Sequence, residues 1–207
     1  MNQDQIKQLN EAVEAVKTRK IENVYFVACG GSKAIFDPAQ FIFDRETTLP
    51  SFVYNANEFI HRCPKGLGEN SLVVTCSHSG NTLETTRATQ LAGDKGALTI
   101  SFSYRVDSPL WKATQHPISY VWGPESDPGD NNNGMLYRLV FSILNVLQPN
   151  EKYERAIKAC DNLGKVYAAN KAKFAESAKA FGKKYKNNKL IYTMSSGPCY
   201  GVAYSFA

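Results

Sequence analysis

The sequence predicts an α/β protein: a three-layer αβα sandwich on a five-stranded parallel sheet, followed by the start of a second copy of that unit. Three observations predict it. Short apolar, β-branched runs alternate five times with segments of helical periodicity. Those runs are apolar throughout, as strands are when helices cover both faces of a sheet. A late run, Leu190-Ile191-Tyr192-Thr193 followed by Ser195, Ser196 and Gly197, repeats an early one, Val24-Tyr25-Phe26-Val27 followed by Cys29, Gly30, Gly31 and Ser32.

The elements follow in order. Ile6, Leu9, Val13 and Val16 recur at helical spacing and predict an opening helix that packs by one face. Residues 23–28 read as the first strand. Residues 29–33 turn into a helix running toward Glu46, with Pro38 as a point of kink or delay. A short strand at 51–54 leads into a short helix at 57–61, stopped by Pro64. The third strand is 72–77 and the next helix 82–92, with Gly93 as its C-cap. A fourth strand at 97–102 precedes a short helix at 110–114, a fifth strand at 118–122, and a loop at 123–134 rich in Gly, Pro, Asp and Asn. An apolar helix at 135–147 ends before Pro149. Residues 1–150 thus form a first domain and 151–187 a helical connector. Residues 188–207 begin a second domain, whose first strand is 189–194. A whole second domain needs on the order of 100 further residues, so the chain is expected to be a C-terminally truncated form of a two-domain protein.

Composition narrows the function. The 207 residues are 43% hydrophobic and 21% charged, ordinary for a globular chain. The net charge of +5 reflects Lys and Arg concentrated between residues 152 and 189. Glu151, Glu154, Asp161 and Glu176 intervene there at helical intervals, so the segment reads as a solvated helix face. No basic run interleaved with aromatics appears, which argues against a nucleic-acid partner. The five cysteines, at 29, 63, 76, 160 and 199, are odd in number and at no metal-ligand spacing. They are expected to be reduced, which suits a cytoplasmic protein. The first 20 residues are polar and amphipathic, and no run approaches the ~20 apolar residues of a membrane span. Neither a metal nor another cofactor is expected.

The stretch Ser77-His78-Ser79-Gly80-Asn81-Thr82 carries the functional signal. It lies where the third strand turns into a helix. The first amides of a helix lack internal partners, and the helix dipole makes that end positive. Hydroxyls of Ser77, Ser79 and Thr82 add donors there, and Gly80 lets a ligand approach the backbone closely. A lone Ser at such a point is most often only an N-cap. Three hydroxyls around one glycine suit a phosphate dianion. Ligands of doubly wound sheets sit beyond the carboxyl ends of the strands, so the loops at 29–33, 55–58, 77–82 and 123–133 are expected to converge on one cleft.

These motifs resemble those of the sugar isomerase (SIS) family. The likeness covers essentially the whole chain and includes Tyr54-Asn55-Ala56-Asn57-Glu58-Phe59 and Asp107-Ser108-Pro109-Leu110. It is closest to the two-domain fructosamine 6-phosphate deglycases, relatives of the isomerase half of glucosamine-6-phosphate synthase. The resemblance implies a flavodoxin-like fold and a small-molecule sugar-phosphate substrate. It implies that Ser77, His78, Ser79, Gly80, Asn81 and Thr82 grip the phosphate. Cys29, Gly30, Gly31 and Ser32 would meet the sugar chain, joined by Asp130 and Asn132, and Ser195, Ser196 and Gly197 would form the equivalent turn of the second repeat. It implies a homo-oligomer, since family sites form between subunits. The implied reaction starts from a ring-opened fructosamine 6-phosphate, shuttles a proton between C1 and C2, and hydrolyses the resulting aldimine with water to glucose 6-phosphate and an amine or amino acid. The family's catalytic glutamate and histidine lie past residue 207, so no catalytic residue is assigned here. His61 and His116 are expected to be solvated.

Three other readings stand beside this one. A sugar-phosphate isomerase or amino-transferring synthase shares the phosphate grip; the synthase also needs a glutaminase domain, and the first strand begins near Asn23. A non-catalytic sugar-phosphate sensor usually carries a helix-turn-helix unit, for which about 22 residues are too few. A Rossmann dinucleotide binder needs G-x-G-x-x-G, which Cys29-Gly30-Gly31-Ser32 lacks, and an acidic residue near Tyr54-Asn55.

Overall fold

The structure is a computed structural model that describes residues 1–124 and 126–206. Glu125, in the expected loop, and Ala207, at the end of the expected second repeat, lie outside it. Strands β1 (Asn23–Ala28), β2 (Ser51–Asn55), β3 (Ser71–Cys76), β4 (Leu98–Ser103) and β5 (His116–Ser119) form one parallel sheet in the order β2-β1-β3-β4-β5. The winding reverses between β1 and β3. In register, Ala28 sits opposite Cys76, and Cys76 opposite Phe102. The loops after β1, β3 and β4 therefore leave the sheet at one level, beside the switch point where such sheets bind ligands.

Alternation along β1 builds both cores. Val24, Phe26 and Ala28 face a cluster with Leu9, Val16, Phe36, Phe43, Leu139 and Ile143, while Tyr25 and Val27 face Phe59, Ala88 and Ala92. Helix α1 (Gln3–Lys17) is fixed by a capping box, in which the Gln5 amide donates to Asn2 Oδ1 at 2.8 Å and the Asn2 amide to Gln5 Oε1 at 2.9 Å. It packs on β5 and on the long apolar helix at Asn132–Leu147.

Several boundaries differ from expectation. The helix after β1 is two helices, α2 (Gly30–Ala34) and α3 (Phe36–Glu46), parted at Ile35. Pro38 then falls in the first turn of α3, where its missing N–H has no intrahelical partner to lose. Helix α4 (Ala56–Arg62) ends on Cys63, whose φ is +39°. Helix α5 (Leu83–Asp94) runs through Gly93; the glycine of positive φ that terminates it is Gly96. Ser108 caps the short α6 (Pro109–Ala113). Strand β5 starts two residues earlier and ends three residues earlier than its apolar pattern suggests, because the Val121 amide donates to the Asp130 carbonyl at 2.8 Å and closes the next loop.

Beyond α7 (Asn132–Leu147), the segment expected as a connector is α8 (Glu151–Cys160) and α9 (Leu163–Tyr185). Tyr153 of α8 is buried in the main core. Its hydroxyl donates to Glu46 Oε2 at 2.8 Å, and the Lys152 ammonium pairs with the same oxygen. These two donors, Lys152 first, hold the Glu46 carboxyl below the usual glutamate range. A lowered carboxyl stabilises the fold above the unfolded-state value near 4.5 and ceases to as pH falls through its own lower value. Glu46→Gln is therefore expected to lower stability at neutral pH, with the deficit shrinking in acid. Urea unfolding at several pH values checks this, and a pH-independent deficit would contradict it.

No residue of α9 is buried. The strand expected at 189–194 does not form: Leu190, Ile191, Tyr192 and Met194 are exposed, and no neighbouring strand among the described residues offers them a hydrogen-bond ladder. A 3₁₀ turn (Gly197–Cys199) leads into α10 (Tyr200–Phe206), which packs on α2 and α3. Among the described residues no helix is long and apolar enough to cross a membrane. All five cysteines are free thiols.

Candidate functional site

The 77–82 loop is built by its own hydrogen bonds and by those of the next loop. The Ser77 amide donates to the Phe102 carbonyl (3.1 Å), and the Gly80 amide to the Ser77 carbonyl (3.1 Å). Carbonyls of His78 and Gly80 accept from the amides of Tyr104 (3.1 Å) and Leu110 (3.0 Å). The β4–α6 segment thus occupies the loop's acceptors. Ser77 is buried, Ser79 and Thr82 are half-buried, and His78 and Asn81 are exposed.

Thr82 is the N-cap residue of α5, yet its side chain makes no capping bond. Its hydroxyl lies 2.9 Å from that of Ser77. The simple-cap reading therefore fails for Thr82: the start of α5 keeps its amides, flanked by two hydroxyls held at one point. Positive dipole end, amides and hydroxyls together suit an anionic oxygen cluster. The Ser79 hydroxyl accepts from the Asn81 amide at 3.2 Å, which turns the loop.

Gly80 has a reason the sequence did not show. Its φ is +66°, and an added Cβ would stand 2.0 Å from Ser108 Oγ and 2.4 Å from Ser108 Cβ. The glycine lets the 77–82 loop sit down on the cap of α6. Close approach at this position is to the protein's own Ser108.

The β1–α2 turn meets the loop from the neighbouring strand. Thr85 of α5 donates to Cys29 Sγ at 4.0 Å. Ser32 hydrogen-bonds the Cys76 thiol, while burial pushes that thiol up to about 12 and keeps it protonated. Gly30 and Gly31 are exposed, with nothing within 4 Å of an added Cβ. Cys29, Gly30, Gly31 and Ser32 are thus brought beside Ser77 and Thr82, with open space above the glycines.

The β5–α7 residues fare differently. Asp130 Oδ1 lies 2.6 Å from the Met1 amino group, so its carboxylate serves an ion pair at the start of the chain. Asn132 Oδ1 accepts from the Asn133 amide at 3.1 Å, and the α7 cap is Asn131, which accepts from Gly134 at 3.0 Å. Ser195, Ser196 and Gly197 are exposed and precede α10. Gly201 of that helix is buried where an added Cβ would lie 2.0 Å from the Ala34 carbonyl. Lys33 Nζ stands 5.7 Å from the Tyr204 ring centre and 3.8 Å from Asp37. The second turn's helix thereby rests on the first turn's helix. His61 is exposed as expected, whereas His116 is half-buried, and burial lowers its pKa.

Sequence reasoning missed an aromatic frame around His78. Its ring stacks on Tyr104 with centres 5.1 Å apart and planes 5° apart, and meets Trp122 edge-on at 5.1 Å. His78 Nδ1 lies 2.9 Å from the Tyr120 hydroxyl. Trp122 also lines a cavity of about 520 Å³ with Gly123, Pro124, Ser126 and Tyr167. The aromatic content of 120–122 was the available signal, but it reads equally as the end of a strand. Among the described residues no cluster of His, Cys, Asp or Glu could hold a metal ion.

A parallel sheet in this order, with a hydroxyl-rich loop leading into the helix after its central strand, defines a class. The SIS domain profile matches residues 17–147, more than half the chain, and the chain belongs to the SIS domain family. It is 46% identical over 97% of its length to the fructosamine deglycase FrlB of Bacillus subtilis and 26% identical over 93% to fructoselysine 6-phosphate deglycase of Escherichia coli. It spans 62% and 56% of the lengths of those two proteins. Among solved structures it superposes on a Bacillus subtilis protein assigned as a phosphosugar isomerase, with a TM-score of 0.92 and 46% identity, covering 97% of this chain and 61% of that one. A Salmonella typhimurium structure assigned likewise gives a TM-score of 0.90 at 32% identity, covering 98% and 62%.

Proposed function

We propose that the chain binds a sugar 6-phosphate through Ser77, Ser79, Thr82 and the first amides of α5. We propose further that it belongs to a fructosamine 6-phosphate deglycase, which with water releases glucose 6-phosphate and an amine or amino acid. The single observation that carries the binding step is the uncapped start of α5 with the Ser77 and Thr82 hydroxyls joined beside it. The names of the two deglycases above support the reaction. Phosphate held here fixes one end of the open-chain sugar and leaves its reacting carbons to extend over Cys29, Gly30, Gly31 and Ser32. Remote binding of this kind orients a substrate for acid–base chemistry at C1 and C2. The proton-transferring groups are not assigned to any residue of this chain.

The test is to incubate the full-length protein with a fructosamine 6-phosphate and follow glucose 6-phosphate with a coupled dehydrogenase. Stoichiometric release of glucose 6-phosphate and free amine is the expected result. Interconversion of ketose and aldose phosphates with no amine released would replace the deglycase by a phosphosugar isomerase, the reading that the solved relatives' names favour. Turnover of neither would overturn the proposal.

A further inference from the structure

We propose that His78 meets the bound sugar phosphate through its ring, as the Nε2–H tautomer, and that Tyr120 is the positioning residue that fixes this tautomer. The inference rests on the phosphate reading of the 77–82 loop. Tyr120 is only 3% exposed, and among the described residues its hydroxyl has one hydrogen-bond partner, His78 Nδ1 at 2.9 Å. A phenol carries one donor, and a buried donor is almost always used. Donation to Nδ1 is the way to use it. A neutral imidazole that accepts at Nδ1 carries its proton on Nε2. Burial raises the Tyr120 pKa, so the phenol stays protonated and keeps donating.

The frame fixes the ring's plane as well as its proton. Tyr104 stacks against one face and Trp122 meets the ring in a T-shaped contact, and both rings come from loops at the carboxyl end of the sheet. Yet His78 itself is exposed, and it stands between Ser77 and Ser79 in the loop. A ring braced by three aromatic side chains and open to solvent offers a pre-oriented N–H to a ligand oxygen, with little rotamer freedom left to lose on binding. A histidine that only packed would be covered by its neighbours.

Two-bond ¹H–¹⁵N NMR of the histidine ring nitrogens, recorded where the ring is neutral, reads the tautomer directly. The wild-type chain should show a single Nε2–H species for His78, and Tyr120→Phe a mixture. Glucose 6-phosphate affinity, measured by calorimetry, should fall about three- to tenfold in Tyr120→Phe, the loss expected from one mispresented hydrogen bond. His78→Leu should lose about tenfold, while His78→Gln, whose carboxamide keeps an N–H donor, should recover most of it. Thermal unfolding confirms that each variant is folded. An Nδ1–H tautomer in the wild-type chain would overturn the role of Tyr120, as would unchanged affinity in Tyr120→Phe despite a mixed tautomer. Absence of glucose 6-phosphate binding by the wild-type chain would overturn the ligand contact together with the phosphate reading, while the ring spectrum would still decide the tautomer.

Discussion

Replacing Ser79 and Thr82 together by alanine is expected to weaken glucose 6-phosphate binding at least a hundredfold in a chain that remains folded. Hydrogen bonds to a charged phosphate contribute roughly 1.5–3 kcal/mol each, and two are removed. The Ser77 hydroxyl also loses the partner that holds it 2.9 Å away, so its own aim at the anion is lost. The cost to the fold is smaller. Thr82 makes no capping bond whose loss would fray α5, and the hydroxyl pair with Ser77 and the Ser79–Asn81 bond are worth about 1 kcal/mol each. Calorimetric titration and thermal unfolding of the same preparations separate the two effects. A double variant that binds like wild type would remove Ser79 and Thr82 from the phosphate site.

Gly80→Ala is expected to damage both stability and binding. At φ +66° a side chain costs about 1–2 kcal/mol, and forcing a methyl into packed atoms about 1–3 kcal/mol more. The intruding Cβ would lie 2.0 Å from Ser108 Oγ, and Ser108 also caps α6 through the Trp111 amide at 3.3 Å. A total of about 2–5 kcal/mol is a large share of a typical domain's stability. The overlap and the backbone strain can be told apart, because Ser108→Gly removes the atoms struck and leaves the strain. Urea unfolding should therefore show partial recovery in Gly80→Ala/Ser108→Gly. Gly80→Ala within about 0.5 kcal/mol of wild type, the range of ordinary surface changes, would contradict the contact.

The contrast between the two positions shows what the sequence could and could not disclose. The hydroxyls of Ser77, Ser79 and Thr82 were legible because chemistry and local pattern coincide: a strand end, three short polar side chains and a helix start. The need for Gly80 was half legible, since its partner Ser108 lies 28 residues away and only the packing of α6 brings it near. Strands β1, β3 and β4 were readable because they are buried on both faces and so apolar throughout. Strand β5 differs from its apolar pattern because Val121 and Trp122 look like strand residues, whereas the bond from Val121 to Asp130 takes them out of the ladder and Trp122 packs against His78. Three consecutive asparagines, 131–133, all suit a helix cap, and composition cannot choose among them; the structure chooses Asn131. Residues 189–194 have strand character, but a strand exists only with a partner to pair with.

The proposed phosphate contact of the 77–82 loop is tested most directly by crystals of the chain grown with saturating glucose 6-phosphate. The account predicts phosphate density against the start of α5, with oxygens within hydrogen-bond distance of the Ser77, Ser79 and Thr82 side chains and of the first α5 amides. A phosphate bound elsewhere on the chain, with the 77–82 loop accessible and unoccupied, would contradict it.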